Sequence, residues 1–363
     1  QAVAMKYFGT GDVGVPPLEP SVAWLEKSLA GPGPLDVKCV APDQLARDLS
    51  ARMTPAERAK LPRYRGELLL TSHGAGCYTS QAAMKSYNRT NERLAFAAEG
   101  AAVAAEALGG AAYPRETLRE AWTRFLWHQF HDDLTGTSIP EAYPISWNDE
   151  TIAASTFGDV LTTSVGAVSR ALDTRGPGVP LVVWNPLALE REDVVEATIR
   201  FPGEAPRAVR VTGPDGREVP AQVVSRDGSA ATVVFVAKAG PASATVFTVS
   251  PGSGRPAPGE TKAGAAGLEN ARLRVRLDAD GNVASVFDKA LGRELLAAPL
   301  ALQLFEDEPR KWSAWEIEYS ALSAPPREVV RGPARVRVVE EGPARAAVEV
   351  VRQAAGSPFT QTL

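Results

Sequence analysis

The chain has 363 residues, 44% of them hydrophobic and 23% charged, with a formal net charge of −4. This is the balance of a globular protein too long for one ordinary core, and it predicts two or three domains. It excludes a nucleic-acid partner, which would need a basic patch, and a membrane span, since no stretch approaches the roughly 20 apolar residues a membrane helix requires.

Residues 1–68 are mixed in character. MKYFGTGDVGVPP reads as a short strand running into a Gly/Pro loop, SVAWLEKSLA as a helix, LDVKCVAP as a second strand and PDQLARDLSARM as a helix after a Pro-Asp start. Strands alternating with helices imply the tail of an α/β domain with a parallel sheet. A segment this short cannot close such a sheet alone, so the chain reads as a piece of a longer protein. The stretch beginning SQAAMKSYNRTNERLAFAAEG has apolar residues at helical spacing and stops at Gly109-Gly110. Pro114 is expected in the first turn of the next helix, where Leu118, Trp122, Phe125 and Gln129 share one face. After the turn DLTGTSIPEAY a third helical pattern runs from about Ser146 to Leu172, so a three-helix bundle is expected.

From RGPGVP onward the chain turns to short β-rich runs divided by Asp215-Gly216, Asp227-Gly228 and Asp280-Gly281, the pattern of antiparallel sandwiches. PGSGRPAPGETKAGAAG reads as a flexible linker, and LRVRLDADGNVASVFD as a hairpin beyond it. The expected fold is therefore multidomain α+β. Residues 1–77 are the end of an α/β domain, 78–177 the helical bundle, 178–250 a first β-sandwich, 251–267 a linker, and 268–363 the unfinished start of a larger β-sandwich. Cys39 and Cys77 give no disulfide framework and no CxxC. With no basic region followed by an apolar run at the start, they place the chain in the cytoplasm.

Any histidine-based metal chemistry must use His73, His128 or His131. His128 and His131, followed by Asp132 and Asp133, form one HxxH with adjacent carboxylates at a helix end. Such a group can contribute to a zinc site, which needs three or four ligands, or it can simply cap and pack the helix end. Asp12 stands in a Gly-rich loop where an aspartate can approach a ligand closely, and it can equally be a plain turn residue. Trp312, Trp315 and Tyr319 form either a sugar platform or, as is more usual for such a group, part of a β-domain core.

Several segments together resemble glycoside hydrolase family 38 α-mannosidases: QFHDDLTGTS, GELLLTSHGAGCYTSQAAMKSYNR, LVVWNPLALEREDVVE, LENARLRVRLDADGNVASVFDKALGRELL and FEDEPRKWSAWEI, in family order along nearly the whole chain. The resemblance implies the C-terminal part of a retaining, zinc-dependent α-mannosidase: the end of a seven-stranded barrel-like catalytic domain, the helical bundle and the β domains. It implies an α-mannoside oligosaccharide or glycan as substrate, Zn2+ as cofactor, His131 as a zinc ligand and Asp132 as a contact to sugar hydroxyls. It implies Asp12 as the acid/base, although Val13, Val15 and Pro17 depart from the family's glycine run. His73 and Tyr78 fall in the family's substrate loop, where they approach the sugar or pack locally, and His128 matches no family ligand and is expected to be a packed helix residue. The family's N-terminal His-x-Asp and its nucleophile have no counterpart here, so the chain by itself is expected to be inactive. A carbohydrate-binding or scaffolding module without catalysis is the alternative. Large multidomain glycosidases often form homo-oligomers, and the sequence shows no specific interface.

Overall fold

The computed structural model describes residues 4–9, 11, 15–31, 33–66, 74–252, 259 and 261–363. The chain divides into two units, Gln1–Leu68 and Leu69–Leu363. In the first, the two expected helices form as α1 (Glu19–Ala30) and α2 (Gln44–Arg52), followed by a short α3 (Pro55–Ala59). Thr54 caps α3 reciprocally: its Oγ1 accepts from the Glu57 amide at 3.3 Å while Glu57 Oε2 accepts from the Thr54 amide at 2.9 Å. The two expected strands do not form among the described residues of this unit. Strand conformation needs a neighbour for its N–H and C=O groups, and none of the described residues here pairs. None of them is buried either.

The second unit opens with helices. α4 (Ala82–Ala107) ends where the Gly-Gly pair requires: Gly109 has φ +69° and its amide reaches Glu106 O at 2.9 Å, while Gly110 N reaches Ala105 O at 2.9 Å, a Schellman closure. α5 (Arg115–Trp127) starts one residue after Pro114, which is its N-cap rather than a first-turn residue. A single turn, α6 (His131–Leu134), then leads to the long α7 (Tyr143–Arg170). Ala95, Ala98 and Ala102 of α4 line one core with Leu118, Ala121 and Phe125 of α5 and Ala153, Phe157 and Val160 of α7. Alanines on α4 let the aromatic side chains fill the space between helices, with Trp122 and Phe157 edge-to-face at 5.6 Å. Gln129 lies exposed beyond the end of α5.

Between α4 and α7, Asn91 and Glu150 are wholly buried. Asn91 Nδ2 donates to the Glu150 carbonyl at 3.0 Å and also to Glu150 Oε2, while Asn91 Oδ1 and Glu150 Oε1 have no protein partner. Burial pushes the Glu150 carboxyl up from its ordinary 4.5, against the Asn91 hydrogen bond. The folded chain thus holds this proton more tightly than the unfolded chain. The group's contribution to stability is complete below the unfolded value and is lost as pH rises through the folded one. Glu150→Gln is expected to stabilise the fold at pH 7 by roughly 1–3 kcal/mol and to have little effect near pH 4. Thermal melts of both proteins across that range are the check, and equal melting temperatures at pH 7 would contradict it.

The β region starts with seven strands: β1 (Val179–Asn185), β2 (Arg191–Arg200), β3 (Val209–Thr212), β4 (Glu218–Val219), β5 (Ala221–Asp227), β6 (Ala230–Ala239) and β7 (Ser243–Pro251). They form two antiparallel sheets, β1-β7-β3-β4 and β2-β6-β5. Val211, Phe247 and Val249 of one sheet and Ile199, Val233 and Phe235 of the other share one core, as in a sandwich. The Asp-Gly pairs turn as expected, with Gly216, Gly228 and Gly281 all at positive φ.

Part of the expected linker is structured. β8 (Lys262–Gly264) pairs with β9 (Gly267–Glu269), because Gly267 supplies the φ of +140° that the tight return needs. β10 (Leu273–Leu277), β11 (Val283–Asp288) and β12 (Arg293–Glu294) complete this antiparallel sheet in the order β12-β11-β10-β9-β8, and β10–β11 is the expected hairpin. β13 (Gln303–Leu304), the short helix α8 (Tyr319–Ser323) and β14 (Glu328–Val329) follow, then β15 (Arg335–Glu340), β16 (Ala347–Ala354) and β17 (Ser357–Thr362) as a three-stranded sheet. Gln222 of β5 ties the two β regions together, its Nε2 donating to Glu340 Oε1 at 2.7 Å and its Oε1 accepting from Ala344 N at 3.0 Å. Among the described residues no helix is long and apolar enough to cross a membrane.

Candidate functional site

The short turn between α5 and α7 separates two chemistries. α5 stops at Trp127, the chain bends through Gln129 and Phe130, and α6 begins at His131. The bend places the two histidines of the HxxH in opposite environments. The His128 side chain is 4% exposed, packed as expected, while the His131 side chain is 76% exposed. HxxH therefore does not act as one chelating pair.

His131 instead lies beside Asp132, with Nε2 3.3 Å from Asp132 Oδ2. The other carboxylate oxygen, Oδ1, accepts from Thr137 Oγ1 at 2.9 Å. The Asp132 carbonyl accepts from the amides of both Thr137 and Ser138, each at 2.9 Å. The Ser138 amide also reaches the hydroxyl of Tyr143, a buried phenol whose pKa burial pushes up. The LTGTS run thus fixes Asp132 from behind, because Thr137 and Ser138 supply the donors that hold it and Gly136 makes the bend that brings them round.

Gly136 has φ +83°, and a Cβ there would overlap the carbonyl of Ser80 at the start of α4. Gly136→Ala is expected to cost roughly 2–4 kcal/mol, from left-handed strain plus a clash with backbone that cannot swing away. Denaturant unfolding of the variant measures this, and a loss under about 1 kcal/mol would mean the turn relaxes.

A third segment, far away in sequence, closes on the same place. The Gly76 amide donates to Trp315 O at 2.7 Å, and Ser80 Oγ donates to Ala314 O at 2.6 Å. A Cβ on Gly76 would sit 2.9 Å from the Trp315 carbonyl carbon, so only glycine permits this approach. The buried Cys77 thiol is held up by desolvation, is lowered by Lys85, and feels the Glu316 and Asp132 carboxylates as well. The loop ahead of α4, the 131–138 turn and the 312–316 turn are therefore neighbours. Trp312 is 59% exposed at φ +51°, and Tyr319 is 78% exposed, so these two are not core residues; Trp315 is half-buried. Trp312 in its turn and Tyr319 at the start of the short α8 have no facing sheet to cover them, which is why the core assignment fails for both. Tyr78 is 52% exposed beside this junction. Asp12 and His73 lie outside the described residues.

Among the described residues no group of three or more His, Cys, Asp and Glu side chains could hold a metal ion. The exposed imidazole of His131, with a carboxylate oxygen at its side, suits one corner of a zinc site and requires the other ligands from elsewhere.

Two family models match parts of the chain. The family model for the α-mannosidase middle domain matches residues 73–165, and that for the glycosyl hydrolases family 38 C-terminal domain matches residues 268–363. Human α-mannosidase 2C1 is 28% identical over 318 residues, 85% of this chain and 27% of that protein. α-Mannosidase G of Dictyostelium discoideum is 23% identical over 380 residues, 98% of this chain and 34% of that protein. The chain thus spans about a quarter to a third of the length of the curated relatives it matches. In fold it is similar to an α-mannosidase from Enterococcus faecalis V583, with a TM-score of 0.61 and 17% identity over 86% of this chain and 39% of that one. It is also similar to a family 38 glycosyl hydrolase from Enterococcus faecalis, with a TM-score of 0.64 and 18% identity over 92% and 46%. The two matched domains, in the family's order and together just over half of the residues, show that the chain belongs to glycosyl hydrolase family 38, as the C-terminal part of its α-mannosidases.

Proposed function

We propose that the chain is part of a retaining, zinc-dependent α-mannosidase that hydrolyses terminal α-mannosidic bonds of oligosaccharides, and that the chain alone is inactive. The observation that carries this reading is the exposed His131–Asp132 pair on a turn whose backbone is closed by Thr137 and Ser138. An exposed imidazole and carboxylate held this firmly are pre-organised for a ligand, since ordering them costs little on binding.

In this reading His131 is one zinc ligand, and Asp132, its Oδ1 already tied to Thr137, accepts hydrogen bonds from sugar hydroxyls. Zinc held there would bind sugar hydroxyls and favour the flattened, oxocarbenium-like transition state. Asp12 is the acid/base, giving a proton to the leaving oxygen and later taking one from water. A retaining enzyme needs a second carboxylate as nucleophile. That group and the remaining zinc ligands belong to the preceding part of the parent polypeptide. His73 and Tyr78 line the sugar. Residues 1–77 are the end of the barrel-like catalytic domain, 78–177 the three-helix bundle, 178–250 and 268–363 the two β domains. In this reading the parent is cytoplasmic.

One observation favours a second reading. Exposed Trp312 and Tyr319 suit a carbohydrate-binding module without catalysis. Zinc content and p-nitrophenyl α-mannoside hydrolysis, measured side by side on this chain and on the parent, separate the two. About one zinc per parent chain with hydrolysis by the parent alone supports the enzyme. Neither in the parent leaves the binding module.

A further inference from the structure

Beneath the exposed pair lies a buried polar chain that sugar chemistry does not use. Asp133, next to Asp132 on the single turn α6, points the other way and is 8% exposed. Its Oδ2 lies 2.5 Å from His128 Nδ1, and its Oδ1 accepts from Ser146 Oγ at 2.9 Å. His128 Nε2 faces Asp149 Oδ2 at 3.2 Å, and Asp149 Oδ1 accepts from Arg124 at 2.5 Å. The run Arg124–Asp149–His128–Asp133–Ser146 crosses from α5 to α7, returns to the end of α5, and passes through α6 to α7 again. Both ring nitrogens of His128 face carboxylate oxygens, Asp133 on one side and Asp149 on the other.

A four-residue helix with no side-chain N-cap cannot fix its own direction. Besides the backbone bonds of the turn, its orientation comes from what its buried side chain holds, and Asp133 holds Ser146 and His128. We propose that His128 is a positioning residue for the metal site: clamped between Asp133 and Asp149, it anchors α6 from below and so fixes the direction in which His131 and Asp132 face. This rests on His131 being a zinc ligand. Asp132 and Asp133 then divide the work, one carboxylate facing outward and the next inward, with the His128 ring as the fixed point.

The test uses the full-length protein. Zinc dissociation constants from chelator competition are compared for the parent, His128→Gln, Asp149→Asn and His131→Ala, at a temperature where each is folded by circular dichroism. His128→Gln is expected to weaken zinc by about 10–100-fold, the usual effect of removing a group that orients a ligand, and to lower kcat more than it changes KM. Asp149→Asn, at a more exposed position, is expected to move both in the same direction by less. With Co(II) in place of zinc, the visible absorption band of folded His128→Gln should change shape, whereas a role in stability alone would lower the melting temperature and leave the band unchanged. Zinc affinity and the cobalt band unaltered in both folded variants would overturn the proposal. If His131→Ala loses zinc while His128→Gln keeps it, only the positioning role fails; if His131→Ala keeps zinc, the ligand assignment fails with it.

Discussion

Replacing His131 with Ala in the full-length protein is expected to lower zinc content and α-mannoside hydrolysis together, with activity falling at least about a thousandfold. The size follows from what the metal supplies. A metal that would hold the sugar in its transition-state shape is expected to supply several kcal/mol, and each 1.4 kcal/mol or so is tenfold in rate. The same substitution should leave the fold almost untouched. The His131 side chain is 76% exposed and lies against the adjacent Asp132 and the exposed Phe130, so it contributes little packing. Surface changes of this kind stay within roughly 0.5 kcal/mol. A large catalytic loss with the melting temperature of the zinc-free parent is therefore the signature to look for. Metal analysis of the purified variant decides the matter: full zinc occupancy would remove His131 from the ligand set, whatever the activity does.

That contrast between an exposed functional residue and a rigid mount recurs through the site, and it explains what the sequence does and does not reveal. The helices of the second unit are legible because their signals are local. Apolar spacing predicts α4 and α5, and Gly109-Gly110 fixes the end of α4 through its own hydrogen bonds. The Asp280-Gly281 hairpin is legible for the same reason, since Gly281 carries the positive φ of the turn. The strands expected within residues 1–68 have no such local guarantee. A strand is defined by its neighbour, and LDVKCVAP has β-type composition without a described partner.

The site divides in the same way. QFHDDLTGTS marks the turn, but HxxH spacing implies two histidines on one side of a helix. The helix ends between them, so His128 and His131 part company. Asp133 looks like a duplicate of Asp132 in sequence and proves to be its buried counterpart. The closeness of Gly76 and Ser80 to the 314–315 backbone joins segments more than two hundred residues apart, and no local pattern encodes that. The glycine at position 76 is the one trace it leaves in the sequence.

Replacing Asp12 with Asn in the full-length protein is expected to separate substrates by their leaving groups. A general acid typically contributes 10²–10⁴-fold, and it does so only where the departing oxygen needs a proton. A mannosyl–sugar bond expels a basic alkoxide, so hydrolysis of oligosaccharides should fall by roughly that factor. A nitrophenolate leaves without help, so formation of the glycosyl-enzyme from an aryl mannoside should be nearly unaffected. Its breakdown should slow, because the same residue must then take a proton from water. Aryl substrates are thus expected to show a burst followed by a slow steady state. Asn cannot donate the proton but keeps the size and polarity of Asp, so zinc content should stay near that of the parent, unlike in His131→Ala. Pre-steady-state kinetics on both substrate classes is the measurement. Equal losses on both classes with no burst would take Asp12 out of the acid role and leave it as a turn residue of the Gly-rich loop.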